Sequence, residues 1–440
     1  MDNLIKMRSN KFAEINVSYT AKEAIDEAKR CLNCKNPLCI QGCPIEHNIP
    51  GFVNQLSMGN IGAAMQIINE KSNLPAICGR VCPHEKQCEG HCILNKKDNP
   101  VRVGKLERFI ADFDSDMNLI KERLKPKTRG KVAVVGSGPA GLTVAGDLAR
   151  EGFNVVVFEG QKEPGGVLMY GIPEYRLPKD IVRREINKIE ALGVTFINDF
   201  LVGEKMTVDE MLSREFDAVF IGSGTSVPNR LDIPGINLYK VLQSSYFLRM
   251  VNLYNNGDIS RNAVPLVEGE NVAIIGAGNV AMDAARTALR MGANSVNIIY
   301  RKTEDELPAL KTEYNEAVEE GVNFLWESRT VECLGENNTL KAIRVETPEG
   351  EKIMPMERVF IAIGSKPANR IVSTSLGIEV NDSGYVITKE HPYGMTTRKG
   401  VFAGGDVVHT PQTVVLAMRE AKQVARGIAR YIDAVKLLEG

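Results

Sequence analysis

Lys131-Val132-Ala133-Val134-Val135-Gly136-Ser137-Gly138-Pro139-Ala140-Gly141 decides the fold. A short apolar strand runs into a G-x-G-x-x-G turn. A helix is expected from the turn through Arg150, then a second strand from Asn154 to Phe158, ending at Glu159. Strand, glycine turn, helix, strand and acid in that order point to a dinucleotide-binding βαβ unit. The glycines allow the tight turn and let backbone approach a pyrophosphate. The helix N-terminus offers N–H groups and the positive end of its dipole to phosphate. Gly136, Gly138, Pro139, Ala140 and Gly141 are therefore candidate cofactor contacts. Glu159, 18 positions past Gly141, is placed to accept hydrogen bonds from an adenosine ribose.

The pattern occurs twice. Asn271-Val272-Ala273-Ile274-Ile275 leads into Gly276-Ala277-Gly278-Asn279-Val280-Ala281, a helix through Met291 and a strand from Ser295 to Tyr300. Here the strand ends at Arg301-Lys302 in place of an acid. A carboxylate would repel a 2′-phosphate, whereas Arg301 and Lys302 attract one. The second copy thus suits NADPH, with Gly276, Gly278, Asn279 and Val280 as its phosphate turn and Arg286 as a weaker third phosphate candidate. Glu306, in Glu306-Leu307-Pro308-Ala309, reads as a structural or cofactor-orienting residue. Hydride transfer requires no side-chain acid or base, so no catalytic residue is assigned.

Each copy is followed by an apolar strand ending in glycine, Phe216 to Gly222 and Arg358 to Gly364. From Gly136 to Gly222 is 86 positions, and from Gly276 to Gly364 is 88. Two similarly built domains are expected, the second inserted into the first. The tail supplies the closing piece: Gly400-Val401-Phe402-Ala403-Gly404-Gly405-Asp406, a strand delivering an acid, then a helix from Thr413 to Ile432. The segment Pro164 to Lys179 is dense in Gly and Pro around aromatics, which is unusual for an idle loop.

Eight of the nine cysteines lie between Cys31 and Cys92. They form Cys31-x2-Cys34-x4-Cys39-x3-Cys43-Pro44 and Cys78-x3-Cys82-Pro83-x4-Gln87-Cys88-x3-Cys92. Four thiolates hold a cubane, and Cys-Pro after closely spaced cysteines is a ferredoxin-like signal. Structural zinc is the competing reading, since short cysteine pairs also suit it. Between the blocks, Ile61, Ala64, Met65 and Ile68 recur at helical spacing. The region up to Glu122 reads as a helical domain around these cofactors.

These blocks carry a resemblance. Arg30-Cys31-Leu32-Asn33-Cys34, Cys43-Pro44 and Cys78-Gly79-Arg80-Val81-Cys82-Pro83 resemble the cluster domain of the NADPH-dependent glutamate synthase small-subunit family. They are also similar to the large subunit of NADH-dependent ferredoxin:NADP oxidoreductase and to the N-terminal half of dihydropyrimidine dehydrogenase. The resemblance covers essentially the whole chain. It implies an α/β protein in which an N-terminal helical ferredoxin-like domain with two 4Fe-4S clusters precedes two nested Rossmann-like domains, for FAD and for NADPH. Expected limits are 1–126 for the iron–sulfur domain, 127–250 with 367–440 for FAD, and 251–366 for NADPH. One cluster would take Cys31, Cys34, Cys39 and Cys92, and the other Cys43, Cys82, Cys88 and Glu107. Cys78 and Cys333 would be spare thiols. His47, His84 and His91 would be second neighbours or surface residues. The tail resembles the flavoprotein disulfide-reductase-like superfamily, which implies that Gly405 and Asp406 meet the ribityl or pyrophosphate part of FAD. Thr413 would then face the flavin pyrimidine edge, and Gly166 and Arg176 would approach the isoalloxazine.

The implied function is transfer of electrons from NADPH through FAD and two clusters to a partner. The leading partner is the large FMN-containing chain of glutamate synthase. The alternative is a small flavin reductase subunit with a ferredoxin, in an electron-bifurcating oxidoreductase. A non-catalytic wiring subunit is the remaining reading, and an oligomer is expected. Composition agrees by exclusion. The formal net charge of -1 leaves no field for nucleic acid or membrane surfaces. No run approaches the ~18 apolar residues of a span, and residues 1–16 hold no apolar signal core, so a cytoplasmic location is expected.

Overall fold

The computed structural model describes residues 11–120, 122, 124–411 and 413–439. The readings made on the first ten residues and on Lys121 lie outside them. The chain gathers into two compact units. One comprises Ile15–Met169, Arg176–Val227 and Lys366–Gly440; the other includes Tyr170–Tyr175 and Pro228–Ser365.

The first unit opens with six helices: α1 (Ala21–Ala28), α2 (Leu38–Gly42), α3 (Ile49–Ser57), α4 (Ile61–Asn69), α5 (Pro75–Val81) and α6 (Val103–Met117). Thr20 and Glu23 cap the start of α1 reciprocally. Asn48 accepts from the Gly51 N–H at 3.1 Å to start α3, with Pro50 in its first turn. The apolar spacing read between the cysteine blocks is α3 and α4, separated at Gly59, whose φ of +80° suits glycine. Phe52, Leu56, Met65, Ile68, Leu106 and Ile110 form a dry centre between them. On α6, Val103, Leu106 and Ile110 fall at i, i+3 and i+7, so one face is buried. Glu107 lies on that same face, one turn after Val103.

The chain then builds β1 (Lys131–Val135), α7 (Pro139–Glu151), β2 (Asn154–Phe158), α8 (Lys179–Ala191), β3 (Thr195–Ile197) and β4 (Ala218–Ile221). The second unit follows, with β5 (Val241–Gln243), α9 (Ser244–Asn255), β6 (Asn271–Ile275), α10 (Asn279–Arg290), β7 (Ser295–Ile299) and β8 (Asn323–Leu325). It continues through β9 (Arg329–Glu336), β10 (Thr339–Thr347), β11 (Gly350–Pro355) and β12 (Arg358–Ile361). The chain returns to the first unit for β13 (Thr388–Glu390), β14 (Tyr393–Thr396), β15 (Val401–Ala403) and α11 (Val414–Glu439).

The first sheet has the order β13-β14-β15-β4-β1-β2-β3. β15 pairs parallel with β4, Val401 opposite Val219, so a strand from the tail completes the sheet that Lys131 began. The second sheet, β5-β12-β6-β7-β8, is wholly parallel. Both central strands are near-continuous Val, Ala and Ile because helices cover each face. One fold therefore interrupts the other, as the repeat spacing implied.

The limit set at 251 does not match. β5 and α9 precede it, yet β5 pairs with β12, and Phe247 of α9 stacks on Phe360 of β12 with centroids 4.2 Å apart. The compact unit begins at Pro228. The glycine motif marks the first strand of such a fold, and an edge strand of three residues carries no equal marker. The antiparallel β9-β10-β11 sheet was likewise unread: its strands mix polar and apolar residues and are broken by a register shift between Thr330 and Glu332.

Candidate functional site

The cysteines surround two cavities. Cys31, Cys34, Cys39 and Cys92 line the first, with Leu32, Leu38, Val53 and Ile93 among its apolar walls. Cys43, Cys78, Cys82, Cys88 and Glu107 line the second, with His47, His84 and Val415. Among the described residues no three such side chains converge closely enough to hold a single metal ion. Four donors lining one space are the set a cubane takes, one ligand to each iron. Burial pushes the Cys39 and Cys43 thiols up to about 11, and raises Cys88 as well. Cys82 is raised by its hydrogen bond with Cys78 and by burial. These thiols become thiolates only against a cation, which iron would supply.

The second cavity is assembled by close helix packing. Cys78 and Cys82 are four residues apart at the end of α5, so both face one way. A Cβ on Gly79 would lie 2.6 Å from the Arg108 backbone nitrogen. Only glycine lets α5 approach α6 closely enough for the cysteines to meet Glu107. The Arg80 guanidinium then clamps Asp112 of α6 with two bonds of 3.1 and 2.8 Å. Glu107 is 6% exposed, and its Oε1 has no hydrogen-bond partner. Burial, helped by Glu185, pushes its carboxyl up to about 8. Its nearest cation-forming group is His47 Nδ1 at 3.7 Å, but burial lowers that imidazole to about 4, leaving it neutral. His47 Nε2 meets the Ile68 carbonyl at 3.1 Å. An orphaned buried carboxyl among thiols fits a cationic group in the cavity.

Cys78 does more than the sequence reading allowed. It is 2% exposed, and its thiol donates to Met418 Sδ at 3.6 Å. Met418 and Val415 sit in the first turns of α11, the helix that Thr413 starts by accepting from the Leu416 N–H at 3.4 Å. On the other side, Glu185 of α8 accepts from the Ala76 N–H at the start of α5 at 3.1 Å. The second cavity is thus built against the first nucleotide fold. The i,i+4 spacing of Cys78 and Cys82 was the available signal for Cys78; nothing in the sequence announces Met418.

That fold's glycine turn has open space where it is needed. A Cβ on Gly141 would strike the Gly136 carbonyl oxygen at 1.9 Å, and Gly136 itself has φ +94°. Gly138, by contrast, caps α7 with nothing within 4 Å of a notional Cβ, leaving room for a phosphate above the helix end that Pro139 and Ala140 begin. Gly166, at φ +53°, would bring a Cβ to 3.0 Å from Gly138 Cα, and one on Gly405 would lie 2.9 Å from the Ala140 Cβ. The segments expected to bracket a flavin therefore converge on the phosphate turn. Glu159 follows β2, with Oε2 accepting from the Ser137 N–H at 3.0 Å and Oε1 from the Gln161 N–H at 2.9 Å. Asp406 is half-buried, and burial followed by Glu420 raises its carboxyl to about 6. Arg176 is half-buried at the start of the segment leading to α8. Nearby, Lys179 is buried and donates to the Leu168 and Leu177 carbonyls at 3.0 and 3.1 Å, pinning the Gly- and Pro-rich segment.

In the second unit, Gly276 has φ +113° and packs against the Ala362 carbonyl, while Gly278 is open. Asn279 starts α10, and its Oδ1 accepts from the Leu310 N–H at 3.0 Å; Val280 beside it is exposed. Gly364 follows β12 at φ +90° and accepts from the Asn229 N–H at 3.0 Å. Arg301 and Lys302 both face solvent after β7. They are not equivalent: Lys302 Nζ is bound to Glu306 at 2.8 Å, whereas Arg301 makes no ion pair among the described residues. Arg286 is corrected. It is 1% exposed, held by Glu316 and by Glu320 at 2.7 Å, and stacked 5.1 Å from the Tyr175 ring, so it is unavailable to phosphate.

Residues 8–119 match the family described as dihydropyrimidine dehydrogenase domain II, 4Fe-4S cluster, and residues 130–421 match pyridine nucleotide-disulphide oxidoreductase. The chain is 36% identical to the glutamate synthase [NADPH] small chain of Halomonas elongata, over 97% of this chain and 95% of that one. The chain belongs to the glutamate synthase small-chain family. As a member it is an oxidoreductase using FAD, NADPH and 4Fe-4S clusters. The Escherichia coli small chain is 32% identical over 98% of this chain and 96% of that one. The NAD-dependent dihydropyrimidine dehydrogenase subunit PreT of Escherichia coli is 34% identical over 97% and 98%. Among solved structures, Mycobacterium tuberculosis FprA in complex with NADPH aligns with TM-score 0.59 at 17% identity, over 71% of this chain and 86% of that one, a likeness of fold. No described helix is long and apolar enough to cross a membrane.

Proposed function

We propose that this chain is the NADPH-oxidising subunit of a glutamate synthase, with its two clusters held by the two cysteine cavities. Cys43, Cys82, Cys88 and Glu107 hold the inner cluster, and Cys31, Cys34, Cys39 and Cys92 the outer one. FAD held there would supply the conversion of the hydride pair from NADPH into single electrons, and the clusters would supply one-electron transfer. The residues supply position. Gly136 to Gly141 offer backbone N–H groups to the flavin pyrophosphate, and the start of α11 presents its positive end to the flavin. Glu159 and Asp406 face the ribose and ribityl hydroxyls, and Arg176 lies beside the ring. Gly276 to Val280 hold the nicotinamide coenzyme's pyrophosphate, with Arg301 and Lys302 on its 2′-phosphate.

The observation that carries this reading is the shared wall: Val415 and the Cys78–Met418 contact put the inner cavity against the first turns of α11, the helix expected to face the flavin. In this reading Cys78, in contact with Met418, is a neighbour of the cluster, and the buried Glu107 oxygen without a hydrogen-bond partner is the fourth ligand. The acceptor is a large FMN-containing chain in the cytoplasm. Anaerobic purification of the native complex tests this. A large FMN chain should accompany the protein, and NADPH oxidation should depend on 2-oxoglutarate and glutamine. Copurification of a small flavin reductase subunit with ferredoxin-dependent turnover would refute it in favour of the bifurcating oxidoreductase.

A further inference from the structure

The two cavities differ in how they meet solvent. The inner one is the deeper set: Cys88 and Glu107 are 6% exposed and Cys78 is 2% exposed, with Cys43 and Cys82 half-buried. All four cysteines of the outer one are only half-buried. The outer rim is apolar where a soluble surface would ordinarily be polar. Leu32 is 61% exposed and Leu38 and Ile93 are each 45% exposed, and all three line the outer cavity. Isolated exposed leucines need no explanation, but three around one thiol-lined opening form a patch.

The charge beside this patch is mainly positive. Residues 29–39 and 91–99, which contain the four outer cysteines, carry five Lys and Arg against one Asp, in a chain whose net charge is -1. Lys29 and Arg30 are engaged by Asp26 and Glu27 on α1. Lys35, Lys96 and Lys97 are exposed and make no ion pair among the described residues. Lys35 follows a cavity cysteine, and Lys96 and Lys97 close the turn that begins at Cys92. Unpaired lysines around an apolar centre are the arrangement that steers an oppositely charged protein and then desolvates its contact.

We propose that the mouth of the outer cavity is the docking face for an acidic electron-accepting protein, with Leu32, Leu38 and Ile93 as the dry centre and Lys35, Lys96 and Lys97 as the steering rim. This rests on the functional reading above, which requires an exit for electrons, and adds where the exit lies and what surface fits it. Electrons tunnel over short distances, so the exit belongs at the less buried centre. A basic carrier would be repelled by the same lysines.

The test uses the complete holoprotein with NADPH and three acceptors: ferricyanide, an acidic FMN flavodoxin and basic cytochrome c. Each NADPH supplies two electrons and reduces two flavodoxins by one electron each, with one proton drawn from solvent. The wild-type rate with flavodoxin should fall about tenfold between low and high salt, because the Debye length shrinks below the spacing of the charges. Lys35→Glu/Lys96→Glu/Lys97→Glu should lower the low-salt flavodoxin rate by roughly tenfold and flatten its salt dependence, while cytochrome c reduction rises. Ferricyanide reduction, iron content and the cluster EPR spectrum should be unchanged. Lys96→Glu/Lys97→Glu, away from the run around Cys34, should show the same pattern more weakly, and Lys389→Glu in β13 should show none. Loss of both protein acceptors equally, or a flavodoxin rate indifferent to the substitutions, would overturn the docking face. A wild-type protein that fails to reduce ferricyanide from NADPH would overturn the functional reading first, and the face with it.

Discussion

Replacing Arg301 with alanine should separate the two coenzymes. The side chain lies just beyond β7 of the second fold, faces solvent and makes no ion pair among the described residues. Its whole charge-assisted bonding capacity is available to a 2′-phosphate. Such bonds are worth about 1.5–3 kcal/mol, so KM for NADPH should rise about 10- to 100-fold, with kcat nearly unchanged. Lys302 starts from a different position, because Glu306 already holds its ammonium at 2.8 Å. Binding phosphate must loosen that pair, so Lys302→Ala should cost NADPH less than Arg301→Ala. Glu306→Gln should release Lys302 and improve NADPH binding by a few-fold. KM for NADH should barely move in any of the three. The assay is steady-state ferricyanide reduction with each coenzyme, read at the flavin so that the clusters do not intervene. An equal rise in KM for NADPH and NADH in Arg301→Ala would refute the reasoning, because the residue would then be supporting the loop.

Other consequences follow from the inner cavity and the second unit. Glu107→Ala should lose iron from the inner cluster and alter the low-temperature EPR spectrum while NADPH-driven ferricyanide reduction continues; an unchanged spectrum would remove Glu107 from the ligand set. Gly79→Ala places a Cβ against Arg108 backbone at 2.6 Å, so α5 must move off α6. It should cost about 1–3 kcal/mol of stability and empty the inner cluster before the outer one, seen as loss of about half the iron. In the second unit, burial raises the Glu320 carboxyl, but hydrogen bonds from Arg290 and Arg286 override it and hold the group down to about 2, against 4.5 when free. Its folded value is depressed, so its stabilisation is full above pH 4.5 and is lost as pH falls toward 2. The difference in urea midpoint between wild type and Glu320→Gln should accordingly be largest near pH 7 and shrink on acidification.

The architecture was legible where backbone geometry forces a residue choice. Gly136, Gly141 and Gly276 sit where any Cβ would meet a carbonyl oxygen within 2.7 Å, so the two turns had to be written in glycine. Two such turns and two glycine-ended strands were enough to reveal the nesting. The cysteine blocks were legible as candidate cluster ligands, and their division into two sets came from resemblance. What stayed hidden depends on contacts between distant segments. The Met418 partner of Cys78 is 340 residues away, and the close approach that Gly79 permits involves a helix not yet in view. Arg286 looked available because its acids, Glu316 and Glu320, come from another helix and the residue that follows it. Lys302 and Glu306 are four residues apart, and that pairing could have been foreseen.

The central claim is that two differently built cavities each hold a cubane beside a flavin fold. Metal and flavin analysis of the anaerobically purified chain tests it most directly. The account predicts one FAD and about eight irons per chain, with bleaching of the flavin on addition of NADPH. Zinc in the cysteine domain, or no more than four irons in a fully folded protein, would contradict it.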